Sequence, residues 1–180
     1  MEDLSLHILD IAENSVAANA DEIEIRITED KKKDLLSVEV IDNGVGMDKE
    51  TLEKALDPFY TSKTVRRFGF GLSLLAEATK AANGHFSIQS KKGNGTRIKA
   101  DFQHSHIDRQ PLGDIGQSLL TLIIGNPEID FIYEHKRNGH TYCLDNRKIR
   151  DQLHGMPINS LVGIKKIREN LKKPQKSPAK

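Results

Sequence analysis

Val38-Glu39-Val40-Ile41-Asp42-Asn43-Gly44-Val45-Gly46-Met47 reads as an apolar strand that ends in a carboxylate and breaks into a glycine turn. Side chains on a strand alternate in direction, so Leu36, Val38, Val40 and Asp42 share one face. That face is apolar, which turns Asp42 inward. A desolvated carboxylate is costly unless donors reach it, and no basic residue lies within several positions of Asp42. The expectation is that a ligand supplies the donor. Gly44 and Gly46 carry no Cβ, so both are expected to take positive φ and let the backbone approach that ligand.

With 180 residues, the chain has room for one domain of about 100–150 residues and a small extra module. Charged residues make up 29% and nearly cancel, to +1, so the overall balance asks for neither nucleic acid nor an anionic membrane. The single cysteine, Cys143, can form no internal disulfide, and the amino terminus lacks the basic-then-apolar pattern of a secretory signal. No apolar run approaches the roughly 18 residues of a membrane span. A cytoplasmic protein is expected, whose partners must be inferred from its sites.

Working outward, Leu9, Ala12 and Val16 recur at helical spacing between Ser5 and Ala18, with Ser5 or Asp3 as the cap. His7, Asp10 and Asn14 fall on another face of this helix, close enough in spacing to converge. Ile23, Ile25 and Ile27 alternate with Glu24 and Arg26 as a half-buried strand, and Lys31 to Asp34 form a turn into the central strand. Beyond the glycine turn Asp48 caps a short helix through Ala55, which Asp57-Pro58 stops. Residues 57–70 show neither period and carry Lys63, Arg66 and Arg67; they are expected to be a cationic lid that orders around a triphosphate. Gly69-Phe70-Gly71 opens a helix striped by Leu72, Leu75, Ala76 and Thr79 and ended by Asn83-Gly84. Its glycine-led N-terminus presents free N–H groups and the positive end of the helix dipole, which suits phosphate. Phe86, Ile88 and Ser90, then Ile98, Ala100 and Phe102, alternate about Lys92-Gly93-Asn94-Gly95 as a closing hairpin.

After Phe102 the character changes. Residues 1–103 read as one domain, 104–111 as a linker, 112–172 as a small α/β module and 173–180 as a frayed basic tail. In the module, Ile115, Leu119, Leu122 and Ile123 stripe a helix, and Asn138-Gly139 turns a hairpin between Phe131 and Cys143. Asp145 caps a further helix, and Leu161, Ile164, Ile167 and Leu171 stripe the last one. The spacing of His135, His140 and Cys143 fits no standard zinc site.

These motifs carry a family resemblance over about residues 5–102. Asp10-Ile-Ala-Glu-Asn14-Ser15 resembles the asparagine box of the ATP-binding domain shared by gyrase, heat-shock chaperones, histidine kinases and MutL. Asp42-Asn-Gly44-Val-Gly46-Met47 resembles its first glycine box, Asp57 through Lys63 its lid segment, and Gly69-Phe-Gly71-Leu72-Ser73 its second glycine box. The resemblance implies an α+β two-layer sandwich, a mixed β-sheet with helices on one face. It implies ATP and magnesium as ligands: Asn14 on the metal, Asp42 on the adenine amino group, and Gly44, Gly46, Met47, Lys63, Gly69, Gly71 and Leu72 around the nucleotide. Asp10 stands where the ATPase branch has a glutamate general base, one methylene longer; Ala17 stands where sensor kinases commonly have lysine.

Three functions are weighed. One is slow ATPase or protein-kinase activity with Asp10 as the base, and a second is a nucleotide-gated module that signals to a protein partner through the lid. The third, a phosphorelay kinase, needs an acceptor-bearing helical hairpin, and the asparagine box begins almost at Met1. Stand-alone relatives include anti-sigma factors that phosphorylate a serine on a partner, so a protein phosphoacceptor is expected.

Overall fold

A computed structural model of the protein describes residues 3–55 and 71–172. The chain begins with α1 (Leu4–Ala17), capped by Asp3, whose side chain accepts from Leu6 N. β1 (Glu22–Asp30) and β2 (Leu35–Asp42) follow as an antiparallel pair, then α2 (Lys49–Ala55) and α3 (Gly71–Ala81). The hairpin β3 (His85–Ser90) and β4 (Thr96–Gln103) leads on to α4 (Ile115–Gly125). A second hairpin, β5 (Asp130–Arg137) and β6 (His140–Asp145), precedes α5 (Asn146–Asp151) and α6 (Leu161–Leu171).

Among the described residues the strands join one six-stranded sheet in the order β3-β4-β2-β1-β5-β6. The hairpin from the 112–172 segment therefore continues the sheet of the first part, with β5 lying parallel to β1. Cross-strand register explains the core. Ile88, Ile98, Val40, Ile25, Tyr133 and Leu144 are successive partners across the strands and form one apolar row. Burying each large aliphatic side chain in such a row contributes about 1.5–3 kcal/mol. The opposite face is polar: Glu39 lies between Arg97, at 2.7 Å, and Arg26, at 3.5 Å.

Helices cover the apolar face. α1 packs on β2, α3 on β3 and β4, and both α3 and α4 flank α1. The buried side of α1 is Leu4, Ile8, Ile11, Ala12 and Ser15, whereas the expected stripe of Leu9, Ala12 and Val16 is buried only at Ala12. A helix with neighbours on several sides buries a wider arc than one apolar stripe predicts. The segment after β4 is tied down at both ends. Asp34 accepts from Ser105 N and Ser105 Oγ at one end, and Leu4 N donates to Pro111 O at the other.

Candidate functional site

Asp42 ends β2 on the inward face and is buried. Its carboxylate already has donors. Ser15 Oγ donates to Oδ2 at 2.7 Å, while Gly44 N and Thr96 N donate to Oδ1 at 2.9 and 3.2 Å. The reading that the chain itself brings no donor to Asp42 is thus corrected. Ser15 and Thr96 stand 27 and 54 positions away in the chain, where no inspection of neighbouring residues finds them. An ionised carboxylate offers about four acceptor positions. These three bonds leave one open.

The glycines have separate reasons. Gly46 takes φ +63°, as expected, and a Cβ there would overlap Lys91 O. Gly44 does not take positive φ; a Cβ on it would stand 2.8 Å from Ala18 O, the carbonyl to which Val45 N donates at 2.9 Å. The backbone it approaches is the end of α1. The 42–47 turn also interlocks with the β3–β4 turn: Gly93 N donates to Val45 O at 2.7 Å, and Ser90 Oγ accepts from Met47 N at 2.8 Å.

On α1 the predicted polar trio is drawn into the protein. His7 is only 1% exposed. His7 Nδ1, Asp10 Oδ2 and Asn14 Nδ2 are buried atoms without a hydrogen-bond partner. Unpaired buried polar atoms are uncommon in folded proteins and call for an explanation. Burial raises the Asp10 pKa above the ordinary carboxylate value, against an opposing pull from His7, and burial lowers that of His7. A Cβ on Gly71, at the start of α3, would overlap Asp10 Oδ2, so any side chain there has to displace the Asp10 carboxyl or the helix start.

One cleft gathers Asn14, Asp42, Gly46, Met47 and Leu72, together with Ile11, Ser15, Ala18, Thr96 and Ile98. Its walls are largely apolar, and its polar side chains are those of Asn14, Ser15, Asp42 and Thr96. Gly44, Asp10 and Gly71 do not line this cleft: Gly44 packs against Ala18, and Asp10 and Gly71 meet each other. Lys63 and Gly69, with the whole 57–70 segment, lie outside the described residues. Ser15 and Thr96 were not singled out as site residues from the sequence; the signal for Thr96 is its register opposite Asp42. Elsewhere His135 Nε2 bonds Glu29 at 2.8 Å and Cys143 is exposed, and among the described residues no His, Cys, Asp and Glu group is placed to hold a metal ion. No helix among the described residues is long and apolar enough to cross a membrane.

Residues 2–106 match the family model of the histidine kinase-, DNA gyrase B- and HSP90-like ATPases. The chain is 34% identical over 90 residues to the sensor histidine kinase YxdK of Bacillus subtilis, covering 48% of this chain and 27% of that one. It is 32% identical over 75 residues to the anti-sigma F factor of Clostridium beijerinckii, covering 41% of this chain and 48% of that one. The matches thus span half or less of these relatives. Among solved structures, the N-terminal domain of a DNA repair protein superposes with TM-score 0.55 at 20% identity, over 95% of this chain and 56% of that one. That likeness extends through the β5–β6 hairpin to the last helices.

Proposed function

The chain belongs to the histidine kinase-, DNA gyrase B- and HSP90-like ATPases, and on that premise we propose that it binds ATP with magnesium and transfers the γ-phosphoryl group slowly. The observation that carries this reading is the pairing, in one cleft, of the Asp42 carboxylate with the Asn14 amide. Asp42 has an acceptor position left for the adenine amino group, and Asn14 Nδ2, an N–H donor without a partner, is placed to donate to a phosphate oxygen while Oδ1 would face the metal. Residues able to ligate magnesium through oxygen suit that hard cation, and Asn14 would hold it. Bound there, the metal would neutralise phosphate charge.

Asp10 is the proposed general base. Its Oδ2 takes a proton from the nucleophile, the nucleophile's oxygen bonds to the γ-phosphorus, and ADP leaves with the electrons of the broken bond. Burial favours the base, since it raises the proton affinity of the carboxylate. Gly71 places the start of α3 beside Asp10, where helix N–H groups can face the phosphates. The lid proposed for 57–70, including Lys63 and Gly69, would complete the phosphate end.

A second reading, a nucleotide-gated module that signals to a protein partner, is favoured by the mounting of α1. Ser118 Oγ of α4 donates to Ser5 O of α1 at 3.1 Å, so the helix carrying Asn14 also carries the C-terminal helices. Incubation with γ-labelled ATP, with and without candidate phosphoacceptor proteins, separates hydrolysis, transfer and simple binding. Calorimetry showing no magnesium-dependent ATP affinity overturns both readings.

A further inference from the structure

His7 belongs to none of the motifs that define the nucleotide site, yet it is among the most buried polar residues of the protein. Its Nε2 lies 3.0 Å from Gln110 Oε1. A glutamine Oε1 accepts only, so with the amide so placed Nε2 carries the ring proton and Nδ1 is a bare acceptor. Nδ1 has no donor. Three residues on, Asp10 Oδ2 is a second buried acceptor without a donor. Side chains at that spacing are neighbours on a helix surface, about 5–6 Å apart at Cβ. Two adjacent acceptors that both lack a donor have no use for each other. They fit a small molecule with two O–H donors, which is water.

We propose that His7 is a positioning residue that, with Asp10, holds the hydrolytic water of the ATP site. One O–H of that water points to Asp10 Oδ2 and the other to His7 Nδ1, which leaves an oxygen lone pair free to face the γ-phosphorus. Gln110 fixes the ring and its tautomer from the far side. The assignment rests on the ATP-site reading above and goes beyond it in naming the nucleophile. A protein hydroxyl has a single O–H and cannot satisfy both acceptors, so His7 favours hydrolysis over transfer to a protein.

The test compares His7→Phe, which keeps the ring volume without nitrogen, with His7→Asn, whose amide can return a polar atom to the Nδ1 position. Magnesium-dependent ATP affinity is measured by calorimetry and turnover by phosphate release. A water misplaced by about 1 Å costs roughly a hundredfold, so His7→Phe should lower kcat by about that factor with KM little changed. His7→Asn should recover part of the loss. In nitrogen-15 spectra of the wild-type ring, the Nδ1 resonance should move when a non-hydrolysable ATP analogue binds, and should fail to move in Asp10→Ala. Unchanged kcat in His7→Phe, or wild-type protein that binds ATP without releasing phosphate, overturns the role of His7 and leaves the ATP site standing. Absence of ATP binding by the wild type removes both, and calorimetry alone reveals it.

Discussion

Ser15 Oγ donates to Asp42 Oδ2 across 2.7 Å, joining α1 to the last residue of β2 beneath the candidate site. Asn14, the residue before Ser15 on α1, lines the same cleft as this carboxylate. Asp42 thus serves the fold and the proposed ligand together. Asp42→Asn faces a donor toward other donors, at a cost of about 1–3 kcal/mol in stability. ATP affinity should fall by more than about tenfold, the equivalent of 1.4 kcal/mol. Ser15→Ala is the control, with a smaller loss of both. Calorimetric affinity that survives Asp42→Asn would remove adenine from this carboxylate.

Asn14→Ala should abolish the dependence of ATP affinity on magnesium. The amide has an unpaired buried nitrogen, so its removal strands no partner and the melting temperature should barely change. Titrations with and without chelator decide it; metal dependence that persists places the cation elsewhere.

Asp10→Asn should stop turnover and stabilise the protein. The Asp10 pKa is raised by burial, so above that value the folded state holds a charge that the unfolded chain would solvate better, and stability is lost as pH rises. Removing the charge should therefore raise the Tm at neutral pH and reduce the loss of stability as pH rises. A lower Tm would mean that the carboxylate has a stabilising partner.

Gly71→Ala drives a methyl group into Asp10 Oδ2. Activity and stability should both drop, although alanine is the better helix former by about 1 kcal/mol. Adding Asp10→Ala should restore stability but not activity, a non-additive pair expected of residues in contact. Additive thermal shifts would show that α3 simply moves aside.

Glu29 tests the other end of the sheet. Burial opposes its ionisation, but His135, Arg137 and His104 outweigh that and hold its pKa below 4.5. A lowered folded pKa contributes stability above pH 4.5 that is lost as pH falls through the folded value. Glu29→Gln should therefore destabilise the protein near neutrality and flatten its acid denaturation curve. Parallel curves for variant and wild type would show the cluster to be electrostatically idle.

Much was legible in the sequence because it is written in short-range patterns. Period two placed β1, β2 and the β3–β4 hairpin, the Asn138-Gly139 turn placed β5–β6, and the family resemblance of the motifs holding Asn14, Asp42, Gly46 and Leu72 marked residues that share one cleft. Backbone geometry and side-chain alternation depend on neighbours a few positions away, so one sequence suffices to read them. Tertiary structure alone decided the rest. The parallel pairing of β5 with β1, which makes one sheet of both parts of the chain, joins residues about a hundred positions apart. So does His7 with Gln110. Partners for a buried polar atom are chosen by packing in space, and no local periodicity records which distant donor will arrive; hence Asp42 looked unpaired in the sequence and is bonded by Ser15 and Thr96 in the fold.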